Sequence, residues 1–244
     1  MKKTLEDYID KIKDLPIKNK YTKEEILTED FLVERDGNIE IYYAPHNDYI
    51  NPRAKVFIVG ITPGFQQMNT AISEVRRCIE EGTSIEEAKY RAKVAGRFSG
   101  PLRKNIISML DDIKLNEALG VNSTAELFES NDEILHTISL IPYPVFVKKS
   151  NYTGHTPKLT KSRFLMKYIY ENFLDDYNKL GEVLIIPLGK AVEEAMDILI
   201  YEGKINAKNV LKGFPHPSGA NVNRLVQLEN NKDNLIKFIK QYFK

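Results

Sequence analysis

The 244-residue chain is predicted to be an α/β protein, a three-layer α/β/α sandwich around a central four-stranded parallel sheet. Two observations predict this. Short runs that are apolar on both faces, as buried parallel strands are, recur along the chain. Longer segments with apolar residues at helical spacing lie between them. Strands alternating with helices imply a parallel sheet covered on both faces. A hydrophobic content of 42% supports a core of that size, and the composition carries no signal of disorder.

Leu5, Tyr8, Ile9 and Ile12 share one face of a helix over 3–14, which Pro16 ends. Thr22 with Glu25 three residues on is a capping-box pattern and starts a short helix over 22–28. Residues 39–43 read as a strand, and Pro45 and Pro52 bracket a loop. The first core strand is Lys55–Gly60. Residues 68–95 are helical, with a break near Gly82, and Gly100-Pro101 opens another helix reaching about residue 118. The second core strand is His136–Ile141, and His136 at its start reads as structural. The third is Val183–Leu188, followed by Gly189 and a helix to about 202. The fourth is the short run Asn209–Leu211. A closing amphipathic helix over 230–243 carries Leu235, Ile236, Ile239 and Phe243. Without repeats or low-complexity segments, residues 1–244 are read as one domain, with 1–50 as an N-terminal helical extension and strand packed on it.

The net charge of +1 does not announce a nucleic-acid protein, although a local basic face is enough to bind phosphates. Cys78 is the sole cysteine. That excludes an intramolecular disulfide and a cysteine metal cluster, and fits a reducing cytosol. Residues 1–7 lack an apolar signal core, and no apolar run approaches the length of a membrane span. The expected location is cytoplasmic.

In parallel sheets ligands bind outside the carboxyl ends of the strands. Three loops after core strands, 60–67, 142–157 and 213–224, are expected to converge there. In Phe214-Pro215-His216-Pro217-Ser218-Gly219-Ala220-Asn221, prolines fix φ and glycine frees it, so this is a shaped loop. It can aim an imidazole, a hydroxyl and several backbone N–H groups at one point. In Gly60-Ile61-Thr62-Pro63-Gly64-Phe65, a strand ends in a turn whose glycines let the backbone approach a ligand, and a following helix N-terminus favours negative charge. An ordinary strand-to-helix turn is the alternative. From Val145 to Phe164 stand Lys148, Lys149, Lys158, Lys161 and Arg163, with aromatics and no acidic residue. Phosphate neutralisation plus base stacking needs that combination; a solvated basic loop is the alternative. Phe98, before Ser99-Gly100-Pro101, either presents its ring to a flat ligand or sits in the core. The sequence contains no Walker loop, dinucleotide-binding glycine pattern or nucleophile-elbow serine, and no histidine pair has metal-ligand spacing.

In their order, these segments resemble the uracil-DNA glycosylase superfamily over about residues 55–240. Gly60-Ile61-Thr62-Pro63-Gly64 resembles the family's first motif, Phe98 its base-stacking phenylalanine, and Asn105-Ile106 its Asn-Ile helix pair. Leu188-Gly189-Lys190 is similar to its strand-to-helix segment, His216-Pro217-Ser218-Gly219 to its last motif, and Arg224 to the arginine that follows it in some members. The resemblance implies hydrolysis of an N-glycosidic bond after base flipping, with DNA, duplex or single-stranded, as partner. It implies no metal or organic cofactor and no obligate protein partner. With no convincing Schiff-base lysine, the enzyme is expected to be monofunctional.

The roles implied are these. Thr62 and His216 are catalytic. Ile61, Gly64, Phe65, Phe98, Tyr143, Asn151 and Tyr152 contact the base. Lys148, Lys149, Ser218, Gly219, Asn221 and Arg224 contact DNA. The departures shape specificity. Thr62 stands where the family usually has Asp or Asn. The uracil-reading asparagine is absent near Ile141-Pro142-Tyr143, with Asn151 a substitute from the loop. Ala220 stands where an intercalating leucine is expected, with Leu225 or a residue of the 142–157 loop as the replacement. The substrate implied is a damaged or modified pyrimidine, including a hypermodified phage base in antiviral defence. Uracil excision in repair and a catalytically silent DNA or nucleotide binder are the alternatives.

Overall fold

Apolar spacing and capping residues divide the chain into short helices and strands, which a computed structural model describes for residues 2–98 and 100–244. The α-helices are α1 (Leu5–Lys13), α2 (Lys23–Ile26), α3 (Phe65–Glu81), α4 (Ile85–Gly96), α5 (Gly100–Asp112), α6 (Leu115–Leu119), α7 (Arg163–Tyr168), α8 (Leu174–Tyr177), α9 (Lys190–Tyr201) and α10 (Arg224–Tyr242). The strands are β1 (Leu32–Asp36), β2 (Ile39–Tyr42), β3 (Val56–Gly60), β4 (Leu135–Ser139), β5 (Val145–Val147), β6 (Ser150–Asn151) and β7 (Leu184–Pro187). Local signals worked where chemistry dictates conformation. The Thr22 N–H donates to the Glu25 carboxylate at 2.9 Å, as a capping box requires. Gly82 takes a left-handed conformation, φ +69°, and ends α3.

The chain forms two compact units, each assembled from three segments. The first contains residues 1–50, 62–97 and 139–176. It holds an antiparallel sheet ordered β1-β2-β5-β6, with Tyr42, Tyr43, Phe31 and Phe146 among its buried residues. This sheet was not expected. Its first strand, Leu-Val-Glu-Arg-Asp, is charged at three of its five residues and lacks an apolar period. Its third and fourth strands lie in the segment read as a basic loop.

The second unit contains residues 51–61, 98–138 and 177–244. Its sheet is ordered β4-β3-β7, and β3 pairs with β7 in parallel, from Val56 opposite Leu184 to Val59 opposite Pro187. The expected four-stranded parallel sheet is therefore corrected to three strands. The fourth is reduced to one bridge, Val210 beside Ile185 in parallel. Gly213 and Pro215 follow at once, and proline has no N–H to extend a ladder. Val56, Ile58, Ile106, Leu110, Ile186, Leu211, Leu235 and Ile239 form this unit's core.

Candidate functional site

The 213–221 loop is fixed at almost every residue. Gly213 N–H donates to Glu193, and Gly213 O accepts from Asn231. Phe214 O accepts from Gly189 N–H, and Pro217 O accepts from Asn105 Nδ2 at 2.8 Å. Asn221 Nδ2 donates to His216 O at 3.1 Å and to Gln227 at 3.0 Å. Glu193 and Asn231 are loop-holding residues that the sequence does not mark as part of a site. Asn105, which also holds the loop, had a signal through the Asn-Ile motif.

Ser218 N–H donates to His216 Nδ1 at 3.2 Å. An Nδ1 that accepts carries no hydrogen, so the neutral ring holds its proton on Nε2. Burial holds the imidazole below the ordinary histidine value, which favours that neutral form at physiological pH. His216 is thus a neutral donor at Nε2 on a rigid loop.

Ser218 Oγ accepts from Ala220 N–H, leaving its own proton to give. Gly219 is exposed. Asn221 departs from its expected role. Both bonds its amide donates go inside the protein, and a phosphate, which only accepts, gains nothing from the remaining oxygen. Asn221 holds the loop. Arg224 donates weakly to Asn221 O at 3.4 Å, and its Nε is buried without a partner. Beside it stand Val222, Leu225 and Val226, which are 81%, 60% and 63% exposed. Val222 precedes α10 and Leu225 and Val226 lie in its first turn, so three exposed apolar side chains gather at the start of that helix.

Phe98 joins the second unit's core with 9% of its surface exposed, so core burial takes most of the ring. Ser99 lies outside the described residues. Ile61, half-buried, ends the chain segment that carries β3.

In the first unit the turn after β3 draws sequence-distant candidates together. Gly64 N–H donates to Gln67 Oε1, and Gln67 Nε2 donates to Gly96 O. Phe65 N–H donates to Asn151 Oδ1 at 3.0 Å, and the Asn151 amide lies against Gly64. A backbone N–H can face only an acceptor, so the amide orientation is fixed with Nδ2 turned away from it. Gly64, Phe65 and Asn151 are thus adjacent. Lys23 stands over the Phe65 ring.

Thr62 Oγ1 donates to Tyr143 O at 2.6 Å and accepts from Val145 N–H at 3.0 Å. Its proton is spent on the backbone, and the side chain pins the turn to the 142–145 loop. The rings of Tyr143 and Tyr152 are core rings instead of exposed base contacts. Tyr143 is 2% exposed and exchanges hydrogen bonds with Lys3 N–H and O. Tyr152 gives its hydroxyl proton to Pro157 O.

Lys148 and Lys149 form the β5–β6 turn, both at positive φ. Lys149 is paired with Glu40 at 2.7 Å, which offsets part of its charge. Lys148, Lys161 and Arg163 are exposed. His136 stacks on Phe57 at 5.2 Å, a structural placement as the sequence indicated. Among the described residues, no group of three His, Cys, Asp or Glu side chains is arranged to hold a metal ion, and no helix is long and apolar enough to cross a membrane.

The chain matches no protein-family model. It is 41% identical over 239 residues to the uncharacterized protein YoxB of Bacillus subtilis (strain 168), covering 98% of this chain and 93% of YoxB. Its structure aligns with the crystal structure of wild-type SMUG2 from Pedobacter heparinus at a TM-score of 0.43 and 13% identity, covering 94% of this chain and 95% of that one. The latter likeness is too distant to carry an assignment.

Proposed function

The chain belongs to the family of Bacillus subtilis YoxB, and we propose that it is a DNA glycosylase that hydrolyses the N-glycosidic bond of a flipped pyrimidine. One observation carries the reading most. The Ser218 N–H makes His216 a neutral Nε2–H donor on a loop held by Asn105, Gly189 and Asn221. As the C1′–N bond breaks, negative charge develops on the leaving base. A donor fixed in place before the reaction can supply about 2.7–4 kcal/mol of transition-state stabilisation.

The other assignments follow from what each side chain has free. In the first unit Asn151 Nδ2 is the free donor and the proposed base contact, because the Gly64 and Phe65 N–H groups are already bonded; Phe98 is given to the core of the second unit. Ser218 Oγ, Gly219 and Arg224 meet phosphates. Lys148, Lys161 and Arg163 supply the salt-dependent part of binding. The tip of Val222, Leu225 and Val226 fills the place the flipped base leaves, a task for which Ala220 is too small. A damaged or modified pyrimidine remains the substrate proposed, with a hypermodified phage base, and so a defence role, one member of that class. A second reading, a DNA binder without activity, is favoured by Thr62, whose proton is already given to Tyr143 O.

The test is abasic-site formation on duplex and single-stranded DNA carrying uracil, deaminated bases or glucosylated hydroxymethylcytosine. Wild type releases one of these bases, and His216→Ala loses on the order of 10²-fold or more in rate while binding DNA as before. Salt-sensitive DNA binding with no base released from any substrate establishes the binder instead.

A further inference from the structure

A lysine buried to 3% exposure is rare, because its ammonium loses water. Lys93, on the last turn of α4, is such a residue. Its Nζ donates to Asn47 Oδ1 at 3.1 Å, and both side chains are buried. The other end of the same amide, Asn47 Nδ2, donates to Pro142 O at 2.8 Å. The next carbonyl, Tyr143 O, accepts from Thr62 Oγ1, and Thr62 Oγ1 accepts from Val145 N–H. A buried lysine nitrogen is thus linked through one amide to the loop that holds Thr62. Asn47 cannot flip without facing Pro142 O with an oxygen and Lys93 with an NH2 group, so Pro142 O and Lys93 set its orientation together.

We propose that Lys93 and Asn47 are positioning residues, a buried relay that fixes the 142–145 loop and through it the Thr62 turn. The catalytic part of this proposal rests on the glycosylase reading; the structural part does not. Burial, with the Arg97 charge next, lowers the Lys93 ammonium to about 7. The charged groups facing it are Arg97, Asp176 of α8, Lys2 and Asp48. His46, beside Asn47, is held neutral by burial and by Lys93 itself.

Amide hydrogen exchange tests the relay independently of activity. The Val145 amide reports its bond to Thr62, and the Ile72 amide within α3 is the control. Lys93→Met keeps the length and removes the charge, a change that buried ion sites often tolerate. Asn47→Leu removes both links, and Asn47→Asp keeps the acceptor for Lys93 but loses the donor to Pro142. In all three, Val145 exchange rises on the order of tenfold while Ile72 and the melting temperature change little. On a substrate that wild type cleaves, kcat falls with KM nearly unchanged, and in Lys93→Met the pH dependence near 7 flattens. Unchanged Val145 exchange in Lys93→Met and Asn47→Leu overturns the relay whatever the activity. Faster exchange with wild-type kcat overturns its part in catalysis. Faster exchange in an enzyme whose wild type cleaves nothing overturns the glycosylase reading and leaves the relay supported.

Discussion

Gly189 ends the segment after β7 and caps α9 at φ +84°, ψ 171°, a region essentially reserved for glycine. A Cβ built there lies 2.7 Å from His216 Cβ and 3.2 Å from His216 N. That is 0.7 Å short of the 3.4 Å at which ordinary contact begins. Gly189→Ala therefore meets two costs. Backbone strain costs about 1–3 kcal/mol, which for a chain of this size lowers the melting temperature by roughly 2–12 °C. The contact must also be relieved by moving His216, because Gly189 N–H is tied to Phe214 O on the same loop. A shift approaching 1 Å at a reacting group costs on the order of 10²-fold in rate. The assay is single-turnover base release beside thermal melting. Gly203→Ala is the control: φ is +69° and nothing lies within 4 Å of the added methyl group, so it carries strain without touching His216. The expected pattern is a lower melting temperature in both variants and a slow reaction in Gly189→Ala alone. Equal rates in the two variants refute the claim that His216 placement is what Gly189 protects.

The remaining predictions concern pH and the DNA-facing tip. Burial lowers the His46 imidazole to about 3, so its contribution to stability is complete above the unfolded value of 6.5 and is lost as pH falls from there toward 3. Asp48, raised by burial to about 7, acts with the opposite sign between 7 and 3.8, so the comparison must be made between proteins at each pH. Urea unfolding of wild type and His46→Leu at pH 7, 6, 5 and 4 should show wild type losing about 1.4 kcal/mol per pH unit relative to the variant; a pH-independent difference rules this out. Leu225→Ser, at a 60% exposed position, should leave stability within about 0.5 kcal/mol while slowing base release from duplex more than from single strands. Equal slowing on both substrates removes the tip from base replacement.

The second unit was legible because its signals are local. Val56–Val59 and Leu184–Ile186 are apolar on both faces; in the first unit, Gly82 and the Thr22–Glu25 pair mark helix ends by equally local chemistry. The antiparallel sheet was not. Leu32–Asp36 becomes a strand through pairing with Ile39–Tyr42, and Val145–Val147 through pairing with the other edge of that strand. Pairing leaves no period in a charged sequence. The same limit applied to the site. The His216 loop announced itself through proline and glycine, and Asn151 was found as a candidate. The sequence could not show that Lys149 is paired with Glu40, that both Asn221 donors turn inward, or that Thr62 gives its proton to a carbonyl. The Lys149 and Thr62 bonds depend on partners far along the chain, and the Asn221 bonds on how the loop closes on itself.

The state of Thr62 has a chemical consequence. In N-glycosidic hydrolysis the sugar becomes cationic while the base becomes anionic. An anionic group beside the sugar lowers the barrier from one side, and a donor to the base lowers it from the other. Position 62 carries no charge, and its proton is engaged with Tyr143 O. The proposed mechanism therefore leans on the leaving-group side, where His216 Nε2 donates. A reaction with that imbalance should be sensitive to the acidity of the departing base. Bromine and methyl at C5 of uracil are close in size and opposite in electronic effect, so the pair separates acidity from fit. If both bases are accepted, 5-bromouracil should leave faster than thymine by on the order of tenfold or more, about 1.4 kcal/mol of barrier. The ratio should widen in His216→Ala, because the base then departs without its donor. Equal rates for the two bases in wild type, with chemistry rate-limiting, would mean that bond breaking is driven from the sugar side by a group other than Thr62, and would sink the assignment of His216 as the main source of rate.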